Sequence, residues 1–300
     1  EKQARQIGFC ISQAREYFDA ASDASLATKP VQLYYACMAL ALAEILWKGD
    51  GSVSLDKIRG EHDRHGLLLK KGNLSLIFGA DAAEEIAARI DLRGDVGRGT
   101  FALWRKFARN VPLVGEQQIR QQDGSSQSGP TIIFSPDDLE GPDFPAEGIS
   151  LLECARNIPA LYQLLPSFNV MSHLVRSTIR RTVIIRDGGA DLSFTISIHP
   201  YLQSAIDSVA EDFIFRAFMF EKLHVRASLS GFVATINTDL GQPHGVMGLP
   251  EGMSISPTET FLRPKHSILS EFGYYYVALY IGGMFSRYYP DIWMRHLECN

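Results

Sequence analysis

Three hundred residues, 46% of them apolar and 21% charged, suffice for one large domain or two ordinary ones. A net charge of −5 and an isoelectric point near 5.9 exclude a uniformly basic nucleic-acid coat and leave room only for a local basic patch. The four cysteines, Cys10, Cys37, Cys154 and Cys299, form no CxxC pair and read as small apolar residues of a reducing compartment.

The chain opens polar, without a cationic start leading into an apolar run, so no signal peptide is expected. Its longest uninterrupted apolar run, Phe272 to Phe285, is 14 residues long. A membrane span needs roughly 20. The expectation is a cytoplasmic protein with no membrane partner.

Lys2 to Ala21 places Ile7, Cys10, Ile11, Ala14, Tyr17, Phe18 and Ala21 at a period near 3.6, an amphipathic helix. Pro30 to Lys48 is apolar nearly all round, which predicts a buried helix with other helices wrapped about it. Pro30 suits its first turn, and Gly49 follows the cationic Lys48 at its end. A loop from Gly49 to Lys71 comes next. Asp81 with Glu84 forms a capping box for a helix expected to run to about Ile90, and Phe101 to Asn110 is a further helix.

From Gly115 to Gly148 the composition turns to Gln, Ser, Gly, Pro and Asp, which predicts a linker, with Asp123–Pro130 as a loop and Thr131–Phe134 as a short strand. Ser150 and Glu153 make a second capping box, and Pro159 splits this region into two short helices, Ser150–Asn157 and Pro159–Leu165. The period then changes to two. Phe194, Ile196 and Ile198 alternate with polar residues, and Asp187-Gly188-Gly189 supplies a turn back to Thr182–Arg186. Leu223 to Leu229 and Phe232 to Ile236, joined at Ser230-Gly231, predict a second hairpin, and Pro200–Ala210 a short helix between the two.

Asn237 to Pro257 reads as a long loop, Ser267 to Ser286 as a second apolar helix ended before Pro290, and Asp291 to His296 as a last turn. The two apolar helices are expected to touch. The order of elements is α+β: a helical part over 1–114, a linker over 115–148, an antiparallel β-rich part over 149–260, and a C-terminal helix over 261–300 that returns to the helical core.

Several stretches carry a family resemblance. Gln13-Ala14-Arg15-Glu16-Tyr17 with Ala20-Ala21, Tyr34-Tyr35-Ala36 with Ala41 and Leu42, and His65-Gly66-Leu67 resemble the opening of HEPN domains, helical modules associated with RNA cleavage or nucleotide binding. Pro30 through Tyr35, His65-Gly66-Leu67, Ile158-Pro159-Ala160-Leu161 and Arg287-Tyr288-Tyr289-Pro290-Asp291-Ile292-Trp293 resemble the YaaC-like bacterial family, across nearly the whole chain. The HEPN resemblance implies an arginine followed at short spacing by a histidine. Arg59 and His65 match it, although Gly60 stands where such domains place a polar residue and the pair falls in a loop.

The candidate catalytic residues are therefore Arg59, His65, Arg287 and His296: a histidine as general base, an arginine for developing phosphorane charge. Arg176, Arg180, Arg181 and Arg186 are a candidate phosphate- or RNA-binding group, set against the plainer reading of solvated charges guarding a sheet edge. His62 and His65 have metal-ligand spacing, but Arg59 and Arg64 would repel a cation and no second ligand cluster is near, so neither a metal nor a cofactor is expected. Gly94, Gly97 and Gly99 do not follow a strand and make no nucleotide fingerprint. Two functions fit. One is an RNA- or nucleotide-associated HEPN-like effector of bacterial defence or stress, a metal-independent ribonuclease if active. The other is a non-catalytic interaction subunit that dimerises or seats a protein partner in a multi-protein defence complex.

Overall fold

The computed structural model describes residues 1–48, 54–72, 80–108, 113–134, 144–186, 189–199, 207, 209–210, 223–228, 230–238, 251–263 and 268–298. The chain divides into two compact units: Glu1–Ala108 with Asp143–Met171 and Ile268–Asn300, and Arg109–Pro142 with Ser172–Ser267. Helices and strands segregate into an α+β fold.

The first unit is built on two apolar helices. Helix α1 (Lys2–Asp23) and helix α2 (Lys29–Lys48) form an antiparallel pair. Cys10 meets Ala43 and Leu46 at one end of the pair, where Gln3 donates to the Leu46 carbonyl. Helix α2 is long and apolar enough by composition to cross a membrane, but here it is a core element that buries Tyr34, Ala36, Cys37, Ala39, Ala41, Ala43, Ile45 and Leu46. Five short elements come next: strand β1 (Leu67–Lys70), helix α3 (Ala80–Glu85), strand β2 (Ala87–Ile90) and the two strands of the β3–β4 ribbon (Leu92–Arg93, Val96–Gly97).

Helix α4 (Gly99–Phe107) then presses Phe101 and Trp104, both fully buried, towards α2. Strand β7 (Ile149–Ser150) joins a three-stranded antiparallel sheet in the order β1-β2-β7 and leads directly into α5 (Leu151–Arg156). The Ser150 hydroxyl accepts the Glu153 amide at 3.0 Å, the cap its sequence announces. Two 3-10 turns, Pro159–Leu161 and Leu165–Phe168, replace the single second helix expected there, because Pro159 and Pro166 each restart the backbone.

The predicted meeting of the apolar helices is observed. Helix α6 (Glu271–Tyr288), capped by the Ser270 hydroxyl on the Gly273 amide, runs antiparallel to α2, with Gly282 against Pro30 and Gly283 against Tyr34. Small residues at that crossing let the two backbones approach closely. Helix α7 (Pro290–Glu298) closes the chain, and Trp293 donates from Nε1 to the Leu26 carbonyl at 2.9 Å.

Three expectations are corrected. The helix opened by Asp81 stops at Glu85, not Ile90: Ala87–Ile90 pairs with β1 on one side and β7 on the other, and that sheet pairing outweighs a weak local helical signal. The segment expected as a linker carries two full strands, β5 (Leu113–Arg120) and β6 (Ser126–Phe134). Its Asp123–Pro130 stretch is a turn plus the start of a strand, with Asp123 Oδ1 accepting the Ser125 amide at 2.8 Å and Pro130 tolerated because, among the described residues, β6 pairs only with β5. The end of the expected Asn237–Pro257 loop is likewise a strand, β12 (Glu251–Ser256), paired with β13 (Glu259–Arg263).

Strands β5, β6, β12 and β13 belong to the second unit. Its eight-stranded sheet runs β10-β11-β9-β8-β13-β12, from β8 (Val175–Arg186), β9 (Gly189–His199), β10 (Leu223–Ser228) and β11 (Gly231–Thr238), with β5 also on β8 and β6 on β5. Both predicted hairpins form, β8–β9 and β10–β11. The sheet is not wholly antiparallel, because β5 runs parallel to β8. Ile179, Phe194, Ile196 and Ile198 are buried on one face, as their alternation requires. Pro200–Ala210, Cys299 and most of Asn237–Pro257 lie largely or wholly outside the described residues.

Candidate functional site

His65 stands at the centre of a tyrosine cluster in the first unit. Its Nδ1 lies 3.0 Å from the Tyr34 hydroxyl. The Tyr34 ring is edge-on to it at 5.4 Å, and Tyr280 and Tyr35 lie at 6.2 and 6.4 Å. Tyr34 and Tyr35 are consecutive on α2, and Tyr276 and Tyr280 sit one turn apart on α6, so the α2–α6 contact builds the cluster. The Tyr280 hydroxyl donates to the Leu67 carbonyl at 2.7 Å, which ties the strand after His65 to α6.

The backbone around His65 is held just as closely. The carbonyls of Arg64 and His65 accept the Thr100 and Phe101 amides at 2.8 and 3.1 Å, which caps the first turn of α4 with this loop. The buried Thr100 hydroxyl adds bonds to the carbonyls of Arg64 and His62. Gly66 and Gly99 both take left-handed backbone, with φ of +85° and +83°, where a side chain would strike the facing loop.

Arg287 enters from the end of α6. It donates from Nη1 to the Tyr35 hydroxyl at 2.9 Å and lies over the Tyr288 ring at 5.0 Å, an exposed guanidinium held rigid by aromatic neighbours. His65 and Arg287, from distant parts of the chain, therefore flank one tyrosine pair. Burial first, and then the charge of Arg287, lowers the His65 pKa below 6.5, so its imidazole is neutral at pH 7. Its Nε2 makes no hydrogen bond among the described residues. Burial drives the Tyr34 and Tyr276 hydroxyls far above the usual phenol range and pushes Tyr280 up to about 12, so these side chains are neutral dipoles. A neutral imidazole with a free nitrogen, beside a fixed cation, can take a proton from a hydroxyl whose neighbouring phosphate the cation binds.

The other candidates lie elsewhere. Arg59 engages Asp56 at 3.4 Å, and Asp56 also takes Lys2 at 2.7 Å and Gln6 at 3.3 Å. That network holds the loop to the start of α1. Among the described residues, the hydrogen bonds and ring contacts of His65 and Arg287 include neither Arg59 nor His296, which is half-buried on α7. His62 turns to the Leu55 carbonyl at 3.4 Å, and the described residues hold no group of three or more metal-ligating side chains.

The arginines of β8 do not form one basic face. Arg176 pairs with Glu259 at 2.8 Å and Arg180 with Glu116 at 2.8 Å. Arg181 occupies the opposite face, in register with the buried Phe194, and burial lowers its pKa. Arg186 ends the strand opposite Gly189. Nor does β8 lie at an edge, since β9 flanks one side and β13 and β5 share the other.

Sequence reasoning named His65 and Arg287 and passed over Tyr35, Tyr276 and Tyr280 as site residues. The tyrosine content of the Phe272–Phe285 run was the available signal. A further polar cluster was also missed: the half-buried Glu44, the acid within apolar α2, accepts Trp104 Nε1 and Lys48 Nζ, both at 2.5 Å.

Residues 1–81 match the model of a family described as YaaC-like Protein. No curated protein and no solved structure matches the chain.

Proposed function

We propose that this YaaC-like chain acts on RNA at the His65–Arg287 pair, as a metal-independent ribonuclease of bacterial defence or stress. The observation that carries the reading is the convergence of a neutral, half-buried histidine and an exposed, rigidly held arginine on one tyrosine pair. His65 Nε2 takes the proton of a ribose 2′-hydroxyl, and the freed oxygen attacks the adjacent phosphorus. Arg287 stabilises the negative charge that grows on the phosphoryl oxygens. The bond to the 5′-oxygen breaks, and that oxygen takes a proton from solvent at the exposed rim. A 2′,3′-cyclic phosphate and a 5′-hydroxyl result. The tyrosine hydroxyls hold the imidazole orientation and stay protonated. The resemblance of the N-terminal stretches to HEPN domains supports the same reading.

The test is incubation of the pure chain with mixed-sequence RNA in a chelator. Cleavage to cyclic-phosphate ends, lost in His65→Ala and reduced at least a hundredfold in Arg287→Ala at unchanged melting temperature, supports it. Intact RNA, with and without the natural partners, retires the catalytic reading in favour of an interaction subunit. One observation favours that second reading: Phe9 and Trp47 are 64% and 75% exposed on the paired helices α1 and α2.

A further inference from the structure

A pocket of about 370 Å³ lies in the first unit between the Gly60–Asp63 loop, the β3–β4 ribbon and α4. Gly99, Leu103 and Lys106 recur at helical spacing, so one stripe of α4 lines it over roughly 10 Å. Arg98, at the N-cap of α4, and Arg93, on the ribbon, add two cations. None of the side chains of Arg93, Arg98 and Lys106 makes an ion pair or a hydrogen bond among the described residues, although the Arg98 backbone amide donates to the Asp91 carbonyl at 2.8 Å. Arg98 moreover is the N-cap residue of α4, at the end of the helix dipole that favours an anion. The acids of the lining are Glu61 and Asp63, and Asp63 already has Arg64 at 3.9 Å. The volume falls in the range of small-molecule sites.

We infer that this pocket binds a small phosphomonoester carrying several hydroxyls, of sugar-phosphate size, with Arg93, Arg98 and Lys106 on the phosphate side and Glu61 and Asp63 accepting from hydroxyls. Both signs of charge are needed for the assignment. Guanidinium and ammonium groups match phosphate oxygens, whereas carboxylates repel a continuous polyanion and accept from sugar hydroxyls. A nucleic-acid strand would therefore meet two acids where its backbone must pass. The site does not use the His65–Arg287 pair, so it stands or falls independently of RNA cleavage.

Gly60 gives the sharpest test. A Cβ added there meets nothing within 4 Å, so a large side chain is accommodated at this lining position without straining the fold. Calorimetric titration of the full chain with ribose 5-phosphate, inorganic phosphate and ribose measures the assignment. The expected result is saturable binding of ribose 5-phosphate, at least tenfold weaker binding of inorganic phosphate, and none of ribose. Lys106→Gln and Arg93→Gln, both at exposed positions, should each weaken ribose 5-phosphate at least fivefold. Gly60→Phe should abolish its binding at an unchanged melting temperature. No saturable binding of the sugar phosphate, or equal binding by the wild type and all three variants, overturns the proposal. So does displacement of the sugar phosphate by a single-stranded oligonucleotide that lacks terminal phosphates.

Discussion

Gly66 and Gly99 pack backbone to backbone: a Cβ on Gly99 would lie 2.5 Å from the Gly66 amide nitrogen, and one on Gly66 would lie 2.8 Å from the Arg98 carbonyl oxygen. Neither loop can yield alone, because the Arg64 and His65 carbonyls just before Gly66 accept the first amides of α4 just after Gly99. Gly99→Ala should therefore both destabilise the fold and displace His65. The strain of a side chain at φ of +83° adds to the clash, and the loss should be about 1–3 kcal/mol. Chemical denaturation measures the loss, and the His65 imidazole resonances report the displacement. A variant with wild-type stability would show that the loop is not clamped.

The histidine itself makes stability depend on pH. Its folded pKa is lowered, while in the unfolded chain it titrates near 6.5. Below that value the unfolded state takes up a proton that the folded state refuses, so stability falls as pH drops through the window beneath 6.5. His65→Asn should flatten the fall of melting temperature between pH 7 and the folded pKa relative to wild type. Parallel curves would place the imidazole in ordinary solvent.

Two glycines on one helix should respond to alanine with opposite signs. A Cβ at Gly283 would meet the Tyr34 Cβ at 3.4 Å, ordinary contact, whereas one at Gly273 would meet Leu269 Cβ at 2.8 Å and Trp104 Cη2 at 2.9 Å. Gly283→Ala should gain about 0.5–1 kcal/mol from helix propensity. Gly273→Ala should lose about 1–3 kcal/mol by overpacking against a buried indole. Urea unfolding of both variants decides it, and a loss of equal size at the two positions would contradict the packing described.

Glu44 gives a graded series. Glu44→Ala leaves the indole N–H of the fully buried Trp104 without its acceptor, which costs about 1–3 kcal/mol. Glu44→Gln keeps an acceptor and should lose less, at neutral pH and low salt. Equal losses would mean that the carboxylate serves Lys48 alone.

Much of this was legible along the chain. The two apolar helices had to be buried, since neither offers water a polar face. The Ser150 cap and both glycine-turned hairpins follow from residue type and spacing, because such signals act within a few residues. Strands β2 and β12 and the Ser126–Pro130 half of β6 were not legible, whereas its Thr131–Phe134 half was. Ala87–Ile90, Ser126–Pro130 and Glu251–Ser256 have little β-propensity of their own, and they are strands because neighbouring strands supply their hydrogen bonds. The candidate site divides in the same way. His65 and Arg287 could be named one at a time from residue chemistry. Their sharing of Tyr34 and Tyr35, and the turning of Arg59 away to Asp56, were decided only when α2, α4 and α6 packed, because side-chain convergence depends on helix crossings that no local pattern encodes.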